Sequence, residues 1–304
     1  MKNIITALFL TLLSVSACSK TMSDNTRLTS AVDNFGANPG NLTMTLVTEP
    51  SSTSLVVLLH GCTQDGSRYA KTSGWLQLSQ QHQFDLLLPQ QQTHNNAKKC
   101  FNWYQLQDIS IDQGELQSII SMITFAKQQR KYQDVYISGI SAGGAMAMAL
   151  ISNNPEQFSG AGIIAGISYR CGLGLFPALQ CMKSGKNTAM ESFDLTTSST
   201  WPALSVWHGA ADKVVSPKNS RDIIEQWQEI TNQTDLTEVS LNRSKTWQQV
   251  SYSRGNKVMI QHNVIEQLGH SQSVDHDQFE AVDYMTNNGI ATAKELAKFF
   301  NLVQ

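Results

Sequence analysis

The stretch Tyr136-Ile137-Ser138-Gly139-Ile140-Ser141-Ala142-Gly143-Gly144 joins a β-branched run to a G-x-S-x-G pentapeptide and then to the small residues Ala145, Ala147 and Ala149. It reads as strand, sharp turn and helix. A serine at such a turn is pushed into a strained backbone conformation with its Oγ exposed, and the small flanking residues let strand and helix close around it. Ser141 is therefore a candidate nucleophile for acyl transfer. A serine hydroxyl does this chemistry only when a base takes its proton and an acid holds the base. Asp212, in His208-Gly209-Ala210-Ala211-Asp212-Lys213-Val214-Val215, and His270, in Gln267-Leu268-Gly269-His270, follow the serine in that order, each just beyond an expected strand. Asp194 and His276 are the fallback acid and base. Taken singly, the pentapeptide describes any glycine-rich connection, a loop Asp is usually a turn residue and a lone His a surface group. Order and strand context together favour catalysis.

The developing oxyanion needs two backbone N–H donors. Ala142, directly after the nucleophile, supplies one, and the loop His60-Gly61-Cys62-Thr63 supplies the other, with Cys62 as the expected donor and His60 orienting the loop. The Cys62 thiol has no histidine context that would make it a nucleophile. Trp103 and Tyr104, beside Cys100, are expected to line the acyl or alcohol cleft; the alternative is an aromatic pair buried in the core.

Positioning these residues requires alternating strands and helices in a mostly parallel sheet with helices on both faces, an α/β architecture. Strands are expected at 42–48, 55–59, 134–138, 161–165 and 203–207, with a hairpin of 247–252 and 257–264 around Arg254-Gly255-Asn256. Helices are expected over 113–130, with Leu116, Ile119, Ile120 and Ile123 on one face, over 219–230 with Ile223, Ile224, Trp227 and Ile230 inward, and over 291–300. A polar loop is expected at 195–200.

A chain of 304 residues that is 41% hydrophobic can bury one large core, so residues 31–304 are read as a single domain. With a net charge of -2 and only 15% charged residues, no basic face marks it for nucleic acid. Lys2, the apolar segment Ile4 to Val15 and then Ser16-Ala17-Cys18 resemble a bacterial lipoprotein signal peptide. On that resemblance residues 1–17 are removed, Cys18 is lipidated and anchors the chain to a membrane, and Ser19 directs it to the outer membrane; the alternative is a plain secretory signal. Residues 18–30 read as a tether. Setting Cys18 aside leaves four of the five cysteines, an even number that suits disulfides in an oxidising compartment. Three connectivities are possible. Cys171 and Cys181 flank a loop with Gly172, Gly174 and Pro177, where a local bridge fits, leaving Cys62 with Cys100. A zinc site has the wrong spacing and no paired histidines.

The segments His60-Gly61-Cys62-Thr63-Gln64, Cys100-Phe101-Asn102-Trp103-Tyr104 and Gly139-Ile140-Ser141-Ala142-Gly143-Gly144, the Cys171/Cys181 loop, and His208-Gly209 with Asp212 together resemble the polyhydroxybutyrate depolymerase family of esterases, which includes feruloyl and acetylxylan esterases. The resemblance covers most of residues 42–302. It implies an α/β-hydrolase fold, Ser141, Asp212 and His270 as the triad, Cys62 and Ala142 as oxyanion donors, both disulfides and no cofactor. The implied substrate is poly(3-hydroxybutyrate) or its oligomers, with plant-wall feruloyl or acetylxylan esters as the alternative. Two features depart from the family. No linker and substrate-binding domain follow the last helix, and His270 is followed by Ser271 and Gln272 where Gly and Thr are frequent. A peptidase of the same fold and a non-catalytic surface-binding lipoprotein are the rival classes.

Overall fold

A computed structural model describes residues 31–185, 198, 200–275 and 282–303. The expected signal peptide and tether, Cys18, Asp194, His276 and most of the 195–200 loop lie outside the described residues. The chain runs β1 (Thr43–Val47), β2 (Ser54–Leu59), α1 (Gly66–Thr72), α2 (Trp75–His82), β3 (Asp85–Gln90), α3 (Gly114–Gln129), β4 (Asp134–Ile140), α4 (Ala142–Asn153), β5 (Gly160–Ile164), α5 (Leu175–Ser184) and β6 (Ala203–Gly209). It continues through α6 (Lys218–Ile230), β7 (Thr237–Asn242), β8 (Trp247–Arg254), β9 (Lys257–Ile265), β10 (Gln272–Val274), β11 (Met285–Asn287) and α7 (Thr292–Phe299).

Nine strands form one sheet in the order β1-β3-β2-β4-β5-β6-β9-β8-β7. The six from β3 to β9 are mutually parallel, while β1 pairs antiparallel with β3 at one edge and, at the other, β8 pairs antiparallel with β9 and β7 with β8. Strand β2 shows why the central strands read as unbroken apolar runs. Leu55, Val57 and Leu59 point into the core beneath α3, α4 and α6, whereas Val56 and Leu58 point into the opposite core beneath α1, α2 and α7. Both faces are covered, so polar alternation is absent. On the first face Leu116, Ile119, Met122 and Ile123 of α3 share one core with Ile223, Ile224 and Trp227 of α6; on the second, Phe300 stacks on Tyr136 at 4.6 Å.

The structure adds elements the sequence pattern did not mark. Strand β3 carries Pro89, a residue that normally argues against a central strand. Its parallel pairing with β2 ends at Leu87, however, so the proline's missing N–H falls beyond that ladder, where only β1 runs opposite. Strand β7 lies at the sheet edge with Val239 and Leu241 exposed. The hairpin strands are longer than expected. Arg254 pairs with Lys257, and Gly255 takes φ +59 in the turn.

Candidate active site

Strand β4 ends at Ile140 and helix α4 begins at Ala142, which places Ser141 between them at φ 55, ψ -119. That backbone region is costly for a residue with a Cβ and persists only where surroundings over-determine it. Here Ser141 N–H donates to the Ile164 carbonyl of β5 at 2.9 Å, and the Ser141 carbonyl accepts from Ala145 N–H at 2.9 Å. A Cβ on Gly143 would lie 2.3 Å from the Leu59 carbonyl oxygen and 2.6 Å from that of His60. Glycine is thus what lets α4 start against the end of β2, beside the 60–63 loop. Ala142 is the first helical residue, so its N–H belongs to the amides an α-helix leaves without an internal acceptor.

Asp212 and His270 stand on the loops after the neighbouring parallel strands β6 and β9. A Cβ on Gly209 would fall 2.2 Å from the Leu268 carbonyl oxygen, so only glycine lets these loops touch. They are laced by Ala210 N–H to the Ile265 carbonyl at 2.9 Å and Ala211 N–H to the Leu268 carbonyl at 3.0 Å. Asp212 Oδ1 accepts from the amides of Val214 and Val215 at 2.8 and 2.9 Å. Its Oδ2 lies 2.8 Å from His270 Nδ1 and 3.2 Å from His208 Nε2. His270 Nε2 is 2.9 Å from Ser141 Oγ. With Nδ1–H given to the carboxylate, Nε2 presents its lone pair to the serine hydroxyl. Burial alone would raise the Asp212 carboxyl, but hydrogen bonds from His208 and His270, the His270 charge and the Val215 amide outweigh it and hold the group well below the usual carboxylate range. The edge of the Tyr284 ring packs against the His270 imidazole at 5.9 Å.

The loop carrying Cys62 is held from the opposite side. Cys62 and Cys100 form a disulfide, and Thr63 N–H donates to the Lys98 carbonyl at 2.6 Å. Among the described residues no acceptor takes the Cys62 N–H. His60 bonds the Gly61 carbonyl through Nδ1 at 2.7 Å and accepts from Gln91 N–H through Nε2 at 3.2 Å; burial pulls its pKa down to about 4. Gln91 donates in turn to the Cys100 carbonyl and to Glu115, which also receives the backbone and side-chain N–H groups of Asn102, each at 2.8 Å. Burial, with Asp108 nearby, pushes Glu115 up to about 8. No motif marks Gln91 or Glu115 in the sequence, and the 100–104 segment marks Asn102 without showing its partners, because their role is to satisfy one another across three separate segments.

Trp103 is buried, and it shares a small apolar cluster with Ala142, Ile167 and Val215; Tyr104 packs against its edge and is only half-buried. The cluster that holds this pair also contains Ala142, the residue that follows Ser141. Cys171 and Cys181 form the second disulfide, and Gly174 N–H binds the Tyr104 carbonyl at 2.8 Å. On the bridged loop and α5, Leu173, Leu175, Phe176 and Leu179 are exposed. A surface cavity of about 910 Å³ lies elsewhere, at the amino-terminal ends of β4, β5, β6 and β9, where Asp134, Gly160, Ala203 and Lys257 line it.

Strand order, elbow and the two later loops define an α/β-hydrolase fold. The acetyl xylan esterase from Aspergillus awamori has this fold, superposing with a TM-score of 0.74 over 90% of this chain and 99% of its own at 20% identity. The family model described as esterase PHB depolymerase matches residues 45–249, and the chain belongs to that family. It is 32% identical over 289 residues to the poly(3-hydroxyalkanoate) depolymerase C of Paucimonas lemoignei, covering 90% of this chain and 70% of that one. It is also 25% identical over 248 residues to the feruloyl esterase B of Neurospora crassa, covering 75% and 83%.

The Cys62–Cys100 bridge closes a 38-residue separation, so the chain-entropy model assigns it about 4 kcal/mol. Replacing both cysteines by serine is expected to lower the urea midpoint accordingly and to reduce kcat more than it raises KM, because the loop that carries the Cys62 amide loses its tie. Steady-state kinetics on the folded variant checks this; an unchanged kcat contradicts it.

Proposed function

We propose that this protein is an exported serine esterase that hydrolyses carboxylic esters through an acyl-enzyme on Ser141, with 3-hydroxyalkanoate oligomers as its substrate class. The observation that carries the reading is His270, which reaches Ser141 Oγ through one ring nitrogen and Asp212 through the other. His270 Nε2 takes the hydroxyl proton as Oγ attacks the ester carbonyl. Asp212 holds the imidazole tautomer and stabilises the imidazolium. The Ala142 and Cys62 amides receive the tetrahedral oxyanion, each lowering the barrier by about 3 kcal/mol. Collapse expels the alkoxide, which leaves with the proton from Nε2, and water repeats the sequence on the acyl-enzyme to release the acid and restore Ser141.

Membership of the depolymerase family supports the substrate class, as do the apolar Leu173 on the loop bound to Tyr104 and Leu175 and Phe176 at the start of α5. The test is one panel of hydroxybutyrate oligomers, short-chain acyl esters, feruloyl and acetylxylan esters, a peptide series, and amorphous and crystalline polymer. Oligomers and short-chain esters are expected to give the highest kcat/KM. A far higher value on aromatic or sugar-linked esters would overturn the substrate reading in favour of a carbohydrate esterase.

Two disulfides fit an oxidising compartment. The export reading adds residues 31–304 as one catalytic domain, tethered by residues 18–30 to a lipid on Cys18. Cys18→Ser is expected to move the protein out of the membrane fraction or leave it unprocessed, because the lipid is lost. Unchanged partition and processing would count against the anchor.

A further inference from the structure

We infer that His208 is a positioning residue for the proposed triad: its Nε2–H, shared between Asp212 and the Val215 carbonyl, fixes the carboxylate oxygen against which His270 is aligned. The inference rests on the serine-esterase reading. His208 and Asp212 are four residues apart, both side chains are fully buried, and His208 Nε2 lies 3.2 Å from Asp212 Oδ2 and 3.0 Å from the Val215 carbonyl oxygen. Both neighbours of Nε2 are acceptors, which puts the proton on that nitrogen. Among the described residues His208 Nδ1 has no hydrogen-bond partner, so no acceptor there competes for the proton.

The consequence lies in how the carboxylate is filled. A carboxylate offers about four acceptor positions. Asp212 meets four donors: the Val214 and Val215 amides on Oδ1, and His208 and His270 on Oδ2. The amides fix one oxygen, and His208 fixes the direction of the other. The same proton also closes the acid loop, since it joins the end of β6 to Val215, three residues past Asp212. Without this donor the carboxylate plane is held only by the two amides on Oδ1, and Oδ2 keeps no donor but His270, the group it has to align. Among the described residues His208 bonds Asp212 and the Val215 carbonyl and not Ser141, so its removal should leave substrate binding intact and slow the chemical step.

The full chain is to be compared with His208→Leu, which removes the donor, and His208→Gln, whose amide nitrogen reaches the position of Nε2. The probe is p-nitrophenyl butyrate, with phosphonate labelling of Ser141 followed in parallel. For His208→Leu kcat should fall about 10- to 100-fold, the range spanned by a hydrogen bond to a charged group, with KM within about twofold. His208→Gln should recover most of that loss. A wild-type kcat in His208→Leu, a loss confined to KM, or a folded His208→Gln no better than His208→Leu would overturn the role. Should the leucine variant not fold, ¹⁵N resonances of the wild-type imidazoles decide: the Nε2–H tautomer at His208 supports the role and the Nδ1–H tautomer overturns it. Wild-type protein that phosphonate leaves unlabelled, with turnover retained in Ser141→Ala, would bring down the serine reading itself. Labelled wild type with an unaffected leucine variant would bring down only His208.

Discussion

Ser141→Ala is expected to lower kcat for ester hydrolysis by about a millionfold, the scale on which an isolated nucleophile deletion removes covalent catalysis. The fold should survive. The hydroxyl makes its hydrogen bond to His270, and the backbone bonds that hold the elbow, Ser141 N–H to Ile164 and Ala145 N–H to Ser141, involve no side-chain atom. Alanine has the same Cβ, so the strain at φ 55 is neither relieved nor increased. Initial rates on a short-chain ester, with a circular dichroism spectrum and urea midpoint for each protein, check both halves of the expectation. Retention of more than about 1% of kcat by a correctly folded variant would exclude Ser141 as the nucleophile, since the residual rate from an oxyanion hole and binding alone lies far lower.

Asp212→Asn should cost about 10⁴-fold in kcat, for a reason specific to this acid. All its partners are donors: Val214 N–H, Val215 N–H, His208 and His270. An asparagine brings an NH₂ group that must confront one pair of them. Turned toward Oδ1's partners it opposes two backbone amides, which cannot rotate. Turned toward Oδ2's partners it donates to His270 Nδ1, which moves the imidazole proton to Nε2 and leaves no lone pair for the Ser141 hydroxyl. The second arrangement keeps the loop, so the variant should fold and bind with a near-normal KM while kcat collapses. A kcat within tenfold of wild type would remove Asp212 from the proposed relay.

The strand-turn-helix around Ser141 was legible because the constraint is local: strand, glycine, serine and small residues must follow one another within nine positions, and β4 and α4 lie where that pattern puts them. The later loops were legible through topology, since parallel strands place their following turns at one sheet end, and β6 and β9 are hydrogen-bonded neighbours. What the sequence hid is pairwise. Gly209 looks like any loop glycine until Leu268 presses on it. Glu115 looks like a helix N-terminal carboxylate, yet it is buried beneath Gln91 and Asn102. Strand β3 was obscured by Pro89, whose position in the register decides whether it harms the sheet.

The distance along the chain between Ser141 and His270 has a bearing on timing. The two are 129 residues apart, and His270 reaches the serine only after β9 has added to the far side of β6. Polypeptide is made and translocated amino-terminus first. The elbow can therefore take shape while its base is still unfolded, and a hydroxyl without a base is inert. If Ser141, Asp212 and His270 act as proposed, no ester is cleaved before β9 docks, and the onset of phosphonate labelling becomes a clock for that docking.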